Sequence, residues 1–331
     1  MDDTINWGII GCGNVTEVKS GPAFNNIKDS NLVAVMRRNA EKAQDYSSRH
    51  NVPRWYDNAE TLINDKEVNA IYVATPPGSH AEYAIAAMNA GKPVYVEKPM
   101  AASYSECLEM IKVSESTGVP LFVAYYRRML PGFLKVKEMI NSGVIGRPLY
   151  FMIRFFIPPY KEDFSKPPPW RVNPLLSGGG YIFDLGSHQL DFIDYLFGAI
   201  EKESSLPLNT ANLYEPEDFV SAGFRCESGV AGNAVWGFTA PEHLREDSIE
   251  IAGEKGRIRF SCFGFTPVEL TVNGKTSLFE NPRPRHVQQP LIQTIVDQLC
   301  GRGECTSTGI TAARTSRVLD SITGKKGLSE I

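Results

Sequence analysis

Lys98 is the residue whose position first suggests chemistry. It follows the alternating apolar residues of "PVYVE" at 93–97, where a predicted buried strand ends, and Pro99 comes directly after it. A charged residue at the end of a buried strand is costly unless its charge is used. The proline restricts Lys98 to extended backbone conformations, although the sequence does not show whether the bond between them is cis. Lys98 is therefore a candidate site residue.

A second group of polar residues lies in "GGGYIFDLGSHQLD" at 178–191. Asp184 and His188 are four residues apart and Asp191 is three further, so a helix would place all three side chains on one face. That face crosses an otherwise apolar segment, and buried polar groups require partners. The three glycines leave room for a ligand or for a close backbone approach. The alternative for His188 is a purely structural histidine.

A glycine-rich turn follows the first apolar run, in "GIIGCGNVT" at 8–16. Glycines permit a tight turn and let backbone N–H groups approach a pyrophosphate at a helix N-terminus. Thr16 occupies the third glycine position, so the match to a dinucleotide-binding pattern is incomplete, and a simple glycine turn is the alternative. The candidate nucleotide contacts in this turn are Gly11, Gly13, Asn14 and Val15.

Two arginines, Arg37 and Arg38, stand where the second predicted strand ends. In dinucleotide-binding domains an acid at this point pairs with the free ribose 2′-hydroxyl, whereas arginine accommodates a 2′-phosphate. No acid is present and two guanidinium groups are available to grip phosphate, so we expect NADP as the preferred cofactor, with NAD as the alternative. The competing interpretation places both arginines on a solvated helix start.

The segment "ATPPGSH" at 74–80 follows another predicted core strand. Ligands lie at the carboxyl edge of open α/β sheets, so Thr75 and Pro76 could shape the wall of a cofactor site. His80 could contribute to that wall, but we favour an exposed residue at the start of a helix.

Strands and helices alternate in the first third of the chain. Alanine-rich segments such as "HAEYAIAAMNAGK" suit helices, and the short apolar runs between them are typical of buried strands. This order predicts an α/β domain with a doubly wound parallel sheet at residues 1–124. Its predicted strands are "INWGII", "NLVAVM", "NAIYVAT", "PVYVE" and "PLFVA".

Longer alternating runs dominate residues 125–331, which we predict to form a second, α+β domain. Runs such as "DFVSAGFRC" and "VAGNAVWGF", separated by short turns, indicate a large and mostly antiparallel sheet. One helix near 181–197 is expected to precede that sheet, and amphipathic helices near 286–300 and 309–322 are expected to follow it.

The composition excludes several classes of protein. Hydrophobic residues make up 42% of the chain and charged residues 22%, which is typical of a globular protein. The net charge of −4 gives no general attraction to nucleic acid or to an anionic membrane. The six cysteines form no C-x-x-C pair and no zinc-like spacing with the five histidines, so we expect no metal site and reduced thiols. The segment "MDDTINWGII" shows neither a secretory signal nor a membrane anchor, and we expect a cytoplasmic protein.

Four motifs together resemble the Gfo/Idh/MocA oxidoreductases, a family named after glucose-fructose oxidoreductase and inositol dehydrogenase. They are "GIIGCGNV", "VATPPGSHAEYA", "VYVEKPMA" and "GGGYIFDLGSHQLD". They span nearly the whole chain in the family's order, and the last two are the most specific. The resemblance implies a Rossmann domain followed by an open-faced sheet domain, with the active site in the cleft between them. It maps the family's catalytic lysine, aspartate and histidine onto Lys98, Asp184 and His188.

Our hypothesis for the reaction is hydride transfer between C4 of a nicotinamide and the carbon that bears a secondary hydroxyl, or the matching carbonyl in reverse. His188 would be the general base or acid, because imidazole titrates near neutrality, and Asp184 could orient its ring. Lys98 would hydrogen-bond the reacting oxygen. The expected cofactor contacts are Gly11, Gly13, Asn14, Val15, Arg37, Arg38, Thr75, Pro76, His80, Glu97 and Lys98.

Aromatic faces and guanidinium groups near these motifs could bind a polyol. The family's substrates are mostly sugars, inositols and related cyclic alcohols, so the resemblance implies such a substrate. Loop packing is the alternative for Trp170, and surface ion pairing is the alternative for the arginines. The candidate substrate contacts are Lys98, Tyr126, Arg128, Tyr160, Trp170, Arg171, Asp184 and His188.

The sequence leaves two other functions open. Some relatives on this fold use bound NAD to cleave glycosidic bonds through transient oxidation, and a non-catalytic protein could sense NADP and regulate a partner. The pair Arg37 and Arg38 argues modestly against the first, and the presence of Lys98, Asp184 and His188 argues against the second. The resemblance also implies homodimers or homotetramers that form through the open face of the second sheet.

Overall fold

The computed structural model describes residues 4–325 of the 331-residue chain, which forms two compact units. The first unit runs to Tyr126 and includes Pro284–Ala313, and the second consists of Arg127–Arg283 and the chain from Arg314 onward. Our sequence-based boundary at residue 124 left 284–313 in the second domain. The structure instead groups this segment with the first unit, where its residues Ala312 and Ala313 join the apolar core.

A parallel sheet of six strands forms the centre of the first unit, in the order β3-β2-β1-β4-β5-β6. Its central strands are buried on both faces, as Val94 and Tyr95 on opposite faces of one strand illustrate, because helices cover each side of a doubly wound sheet. The predicted fold class is confirmed, and one short edge strand, β3, is additional to the five predicted. The strands are β1 (Ile5–Ile10), β2 (Ser30–Met36), β3 (Arg54–Tyr56), β4 (Ala70–Val73), β5 (Val94–Val96) and β6 (Leu121–Val123).

The helices that connect these strands have clear start and stop signals. The longest begins after Ser103, whose hydroxyl accepts from the Glu106 N–H while the Glu106 carboxylate accepts from the Ser103 N–H, and it ends at Gly118 in the left-handed region, φ 68°. The helices are α1 (Asn14–Val18), α2 (Ala23–Asn26), α3 (Ala40–His50), α4 (Ala59–Ile63), α5 (His80–Asn89) and α6 (Tyr104–Thr117).

An eight-stranded sheet forms the centre of the second unit, in the order β14-β13-β12-β11-β7-β10-β9-β8. Strands β7 and β10 pair in parallel, and the other neighbouring pairs in the described chain are antiparallel. The alternation predicted for "FVSAGFRC" places Val220, Ala222 and Phe224 on one buried face. The strands are β7 (Pro148–Phe156), β8 (Ile200–Leu208), β9 (Phe219–Cys226), β10 (Ala231–Gly237), β11 (Glu246–Gly253), β12 (Gly256–Phe260), β13 (Val268–Val272) and β14 (Lys275–Phe279).

Five further α-helices lie in the described chain, besides short 3-10 turns. We expected the helix near 181–197 to precede the second sheet, but it lies between β7 and β8 and begins with a π-helical turn at Ile182–Gly186. The two helices predicted near the C-terminal end are present. The helices are α7 (Pro131–Asn141), α8 (Pro174–Ser177), α9 (Ser187–Phe197), α10 (Gln289–Leu299) and α11 (Gly309–Ile322). Within residues 4–325, every helix is too short or too polar to cross a bilayer.

Candidate functional site

The glycine-rich turn after β1 has the close approach that its sequence predicts. Gly11 adopts φ +93°, and a Cβ on it would lie 2.6 Å from Thr75 Cγ2 and 2.9 Å from the Thr75 backbone nitrogen. A side chain at Gly11 is therefore excluded on conformational and steric grounds. Gly13, by contrast, faces open space, since a Cβ there would meet no atom closer than 3.9 Å. The turn fits a ligand that approaches the backbone at Gly13.

Thr16 takes a structural role in the third glycine position. Its hydroxyl accepts from the Gly13 N–H at 3.0 Å and donates to the Gly13 carbonyl at 2.9 Å, which caps α1 at the point where Asn14 and Val15 begin the helix. The Thr16 carbonyl accepts from Tyr46 OH at 2.8 Å. Thr16 therefore replaces the third glycine of the pattern without disrupting the turn, because its hydroxyl and carbonyl form local hydrogen bonds.

Arg37 and Arg38 follow β2 at the carboxyl edge of the sheet, Arg37 half-buried and Arg38 exposed. Arg37 lies close enough to the glycine turn to affect its chemistry. Burial raises the pKa of the Cys12 thiol to about 11, and the positive charge of Arg37 opposes this rise. An arginine beside the glycine turn is well placed to meet an anionic group there.

His80 is fully buried, which makes our expectation of an exposed helix-start residue wrong. Its Nε2 lies 2.7 Å from the Thr75 carbonyl and its Nδ1 2.9 Å from the Pro99 carbonyl. Burial lowers the pKa of His80, although both carbonyl contacts oppose this shift. His80 therefore joins the Thr75–Pro76 turn to the turn that carries Lys98, so its part in a cofactor site would be indirect.

Lys98 follows β5, and its bond to Pro99 is cis. The preceding residue, Glu97, is buried, and its carboxylate accepts hydrogen bonds from Tyr72 OH and Gln288 Nε2, both at 2.5 Å. Its other oxygen accepts from the Lys98 N–H at 3.2 Å. We predicted a cofactor contact for Glu97, whereas these hydrogen bonds tie its carboxylate to protein groups. Sequence reasoning missed Gln288, because no local signal links an amide in a distant helix start to the lysine motif.

In the second unit, the structure brings several predicted substrate contacts together. Arg171 Nε donates to Asp184 Oδ2 at 3.1 Å, and the Arg171 guanidinium lies 4.6 Å from the centre of the Trp170 ring. Burial raises the pKa of the half-exposed Tyr160. The negative charge of Asp184 raises this pKa further, and the positive charge of Arg171 lowers it. These four side chains form one polar and aromatic surface, which we call the Arg171 surface: Tyr160, Trp170, Arg171 and Asp184.

His188 is buried in the first turn of α9, and its ring meets Phe263 edge-on with centroids 5.9 Å apart. Asp184 lies within the π-helical turn that precedes α9, so the regular spacing of four residues that we used to place both side chains on one face does not apply. We expected Asp184 to orient the His188 ring. Asp184 also forms an ion pair with Arg171, and the sequence did not reveal this partner.

Arg128 is a predicted substrate contact that the structure assigns to the fold. It is 1% exposed, and its Nε and Nη2 donate to the two oxygens of the equally buried Asp191 at 2.8 and 2.6 Å. Burial alone would lower the pKa of Arg128, but the Asp191 carboxylate raises it above the usual value. Two buried charges in this geometry satisfy each other, which assigns the Arg128 guanidinium to the interior of the second unit. Tyr126 is also buried, and it belongs to the first unit.

The glycines at 178–180 serve close packing within the second unit. A Cβ on Gly179 would lie 2.1 Å from the Phe183 ring, and one on Gly180 would lie 2.8 Å from Pro216. Of the two explanations that the sequence allowed, the structure supports close approach at these two positions. Next to them, Tyr181 OH donates to the buried Asp163, a polar contact that sequence reasoning did not identify.

Glu217, which follows Pro216, gives this region a pH-dependent stability. Burial raises its pKa to about 7. The folded state therefore binds more protons than the unfolded state between about pH 4.5 and 7, and the stability contributed by neutral Glu217 is lost as pH rises through 7. We expect Glu217→Gln, measured by thermal unfolding at pH 5 and pH 8.5, to raise the unfolding free energy by about 1–3 kcal/mol at pH 8.5 only. The matched control is Glu269→Gln at an exposed position of β13. Equal effects of Glu217→Gln at both pH values would contradict the assignment.

Two further observations bear on what the site could hold. Across residues 4–325, no group of three or more His, Cys, Asp or Glu side chains has a geometry that could hold a metal ion. The residues around Gly11, Gly13 and Arg37 fit a dinucleotide, because the space beside Gly13 is open and the charge of Arg37 acts on the same turn.

Comparison with known families assigns both halves of the chain. The model of an oxidoreductase family with an NAD-binding Rossmann fold matches residues 5–125, and the model of the GFO/IDH/MocA C-terminal domain matches residues 133–259. These matches cover the turns that carry Gly11, Thr75 and Lys98 and the helix that carries Asp184 and His188.

Individual proteins agree with this assignment. Oxidoreductase P35 of Formosa agariphila is 39% identical over 327 residues, which cover 98% of this chain and 100% of that protein. Trans-1,2-dihydrobenzene-1,2-diol dehydrogenase of Mus musculus is 27% identical over 84% of this chain and 80% of its own. In fold, levoglucosan dehydrogenase, solved with NADH and levoglucosan, superposes with a TM-score of 0.87 at 20% identity and 97% coverage of both chains. The protein therefore belongs to the Gfo/Idh/MocA family and is an oxidoreductase with an NAD-binding Rossmann domain.

Proposed function

We propose that this oxidoreductase transfers a hydride between a nicotinamide and a secondary alcohol, or the matching carbonyl, of a sugar, inositol or related cyclic polyol. The observation that carries the proposal is the environment of Lys98. The lysine follows β5 at the ligand-binding edge of an NAD-binding sheet, and buried groups hold its turn on both sides, Glu97 before it and His80 after it. Because its turn is held in this way, the Lys98 ammonium group is already positioned before the substrate binds, and binding costs little conformational entropy.

The roles of the side chains follow from their chemistry. A bound nicotinamide would supply the hydride acceptor, and the glycine-rich turn and Arg37 would hold the cofactor. Lys98 donates a hydrogen bond to the reacting oxygen and stabilises its negative charge, and His188 takes the hydroxyl proton. In the reverse direction His188 returns that proton to the alkoxide oxygen. Asp184, held by Arg171, binds a substrate hydroxyl or orients His188.

The Arg171 surface supports a hydroxyl-rich cyclic substrate. An aromatic face packs on the apolar side of a sugar ring, while guanidinium and carboxylate groups bind its hydroxyls. The relative from Mus musculus is named for a cyclic diol, and the fold neighbour was solved with levoglucosan, an anhydrosugar. Both names agree with a cyclic alcohol as the substrate class.

NADP is the cofactor that we propose as preferred, on the strength of Arg37 and Arg38. Calorimetric titration of cofactor-free protein should give an NADP dissociation constant at least tenfold below that of NAD, because two guanidinium groups can contact the 2′-phosphate. The double variant Arg37→Ser/Arg38→Ser should remove this difference and leave NAD binding unchanged. Lys66→Ser, at an exposed position of the same unit, controls for the loss of surface charge. Equal affinities for both cofactors in the wild type would contradict the NADP preference.

An absorbance screen of the wild-type protein, at the absorption band of reduced nicotinamide, tests the proposed reaction. Aldoses, inositols and ketosugars are offered with each cofactor in both directions. Turnover on any of them supports the proposed class of reaction. Bound NAD that does not exchange, together with cleavage of a chromogenic glycoside, would instead favour a glycoside hydrolase.

A further inference from the structure

We propose that Gln288 is a positioning residue for Lys98. Gln288 immediately precedes α10, more than 180 residues along the chain from the lysine motif, in the segment that returns to the first unit. It does not contact the reacting atoms in this proposal. It fixes the Glu97 carboxylate, and Glu97 fixes the backbone of Lys98. The inference rests on the proposed function in one respect, namely that Lys98 acts in the reaction.

The hydrogen bonds around Gln288 form a closed network in a fully buried place. Its Nε2 donates to Glu97 Oε1 at 2.5 Å, and its Oε1 accepts from Tyr95 OH at 2.8 Å. Tyr72 OH donates to the same Glu97 oxygen at 2.5 Å. The rings of Tyr72 and Tyr95 stack with centroids 4.9 Å apart, and all four residues are buried. Each polar group of the network therefore has a defined partner and a defined direction.

The network acts on Lys98 through the second oxygen of Glu97. Glu97 Oε2 accepts from the Lys98 N–H at 3.2 Å, so the orientation of the carboxylate determines where the lysine backbone lies. A buried carboxylate that loses a donor is left with an unsatisfied oxygen and must rotate toward another donor. This rotation moves the point from which the Lys98 side chain extends.

The backbone of the returning segment is itself anchored, which makes Gln288 a rigid support. The Gln288 N–H donates to the Lys19 carbonyl at 3.1 Å, and His286 Nδ1 lies 2.5 Å from the Val18 carbonyl. Val18 is the last residue of α1, the helix that follows the glycine-rich turn, and Lys19 comes directly after it. Gln288 thus connects the end of the glycine-turn helix to the lysine turn, the two elements that the proposed function uses in the first unit.

The test compares Gln288→Met, which keeps the side-chain length and removes both hydrogen bonds, with Gln298→Met on α10, the helix that Gln288 precedes. Gln298 accepts from the Cys305 N–H and lies outside the Glu97 network. We expect Gln288→Met to lower the single-turnover rate about tenfold with unchanged affinity for NAD(P), because displaced groups react slowly even when they bind. Gln298→Met should keep the wild-type rate.

A double variant separates positioning from general damage. If Gln288 acts through Lys98, Gln288→Met should cost little further rate in a Lys98→Met background, since residues that act as a unit are not additive. A full tenfold further loss in that background would overturn the inference. If Lys98→Met alone keeps the wild-type rate, the proposed role of Lys98 fails, and that result is distinct from a failure of Gln288.

A readout without catalysis is the rate at which an amine-acetylating reagent modifies Lys98, measured by mass spectrometry against the exposed Lys112. Gln288→Met should change the ratio of the two rates at least threefold, and an unchanged ratio would contradict a positioning role.

Should Gln288→Met not fold, Gln288→Glu keeps the shape and places a second carboxyl among Glu97, Tyr72 and Tyr95, beside Lys98. Two adjacent carboxyls cannot both ionise without cost. The rate of that variant, divided by the wild-type rate at the same pH, should therefore fall as pH rises, and a ratio that stays constant with pH would count against the proposal.

Discussion

Lys98→Met should lower the rate of hydride transfer about 10²- to 10³-fold, the range for removal of one positioned group that stabilises a developing oxyanion. Methionine has nearly the length of lysine and no charge, so the turn between Glu97 and Pro99 keeps its contacts. The dissociation constant for NAD(P) should change less than about threefold, because the glycine turn and Arg37 are untouched. Stopped-flow absorbance in a single turnover measures the first quantity, and calorimetry measures the second.

Lys92→Met is the matched control for this substitution. Lys92 precedes the same strand, β5, and its Nζ donates to the Asp65 carbonyl at 2.7 Å, away from the carboxyl edge of the sheet. Burial lowers its pKa, so it too is a lysine in a partly desolvated place. Its loss should reduce thermal stability and leave the single-turnover rate unchanged. A wild-type rate in Lys98→Met would remove the lysine from the mechanism.

The strands of the first sheet were predictable because both of their faces are buried. The centre of "NAIYVAT", "AIYVA", has no charged or amide side chain, which is typical of a strand covered by helices on each side. The missed strand, β3, consists of Arg54, Trp55 and Tyr56 at the edge of the sheet. An edge strand of three residues carries too little apolar material for a pattern to identify.

The return of the chain to the first unit could not be predicted from the sequence. The apolar face of α10, which includes Leu291, Ile292 and Ile295, shows that the helix packs against a core. The same pattern would suit either core, because hydrophobic burial is not directional. Specific contacts, among them the hydrogen bond between Gln288 and Glu97, place this segment on the first unit. Contacts between residues so far apart in the chain leave no recognisable pattern in the local sequence.

In the candidate site, too, the sequence identified the residues but not their partners. The two motifs that contain Lys98, Asp184 and His188 stood out because polar residues are unusual at the end of a buried strand and on an apolar helix. The sequence did not show that Asp184 pairs with Arg171 or that Asp191 holds Arg128. Both arginines had similar prospects as substrate contacts, and only the structure reveals that one is buried and bidentate while the other is half-exposed on an aromatic ring.

His188→Ala should slow the chemical step about a hundredfold or more, which is the usual contribution of one positioned acid or base. The wild-type pH profile of kcat/KM for alcohol oxidation should fall on its acid side, because a protonated imidazole cannot accept the hydroxyl proton. In His188→Ala this limb should disappear, and added imidazole should restore part of the rate. The matched control is His243→Ala, an exposed histidine of the same unit.

The combination of these readouts separates a chemical role from a structural one for this buried histidine. The ring of His188 packs edge-on against Phe263, so truncation leaves a cavity and lowers stability in any case. A cavity alone would reduce the melting temperature and leave both the pH profile and the response to imidazole unchanged. Loss of the acid limb together with rescue by imidazole requires that His188 itself carries the proton. Unchanged single-turnover rates in His188→Ala would show that another group accepts the hydroxyl proton. Lys98, which our proposal places at the reacting oxygen, would then be the side chain to test as the base.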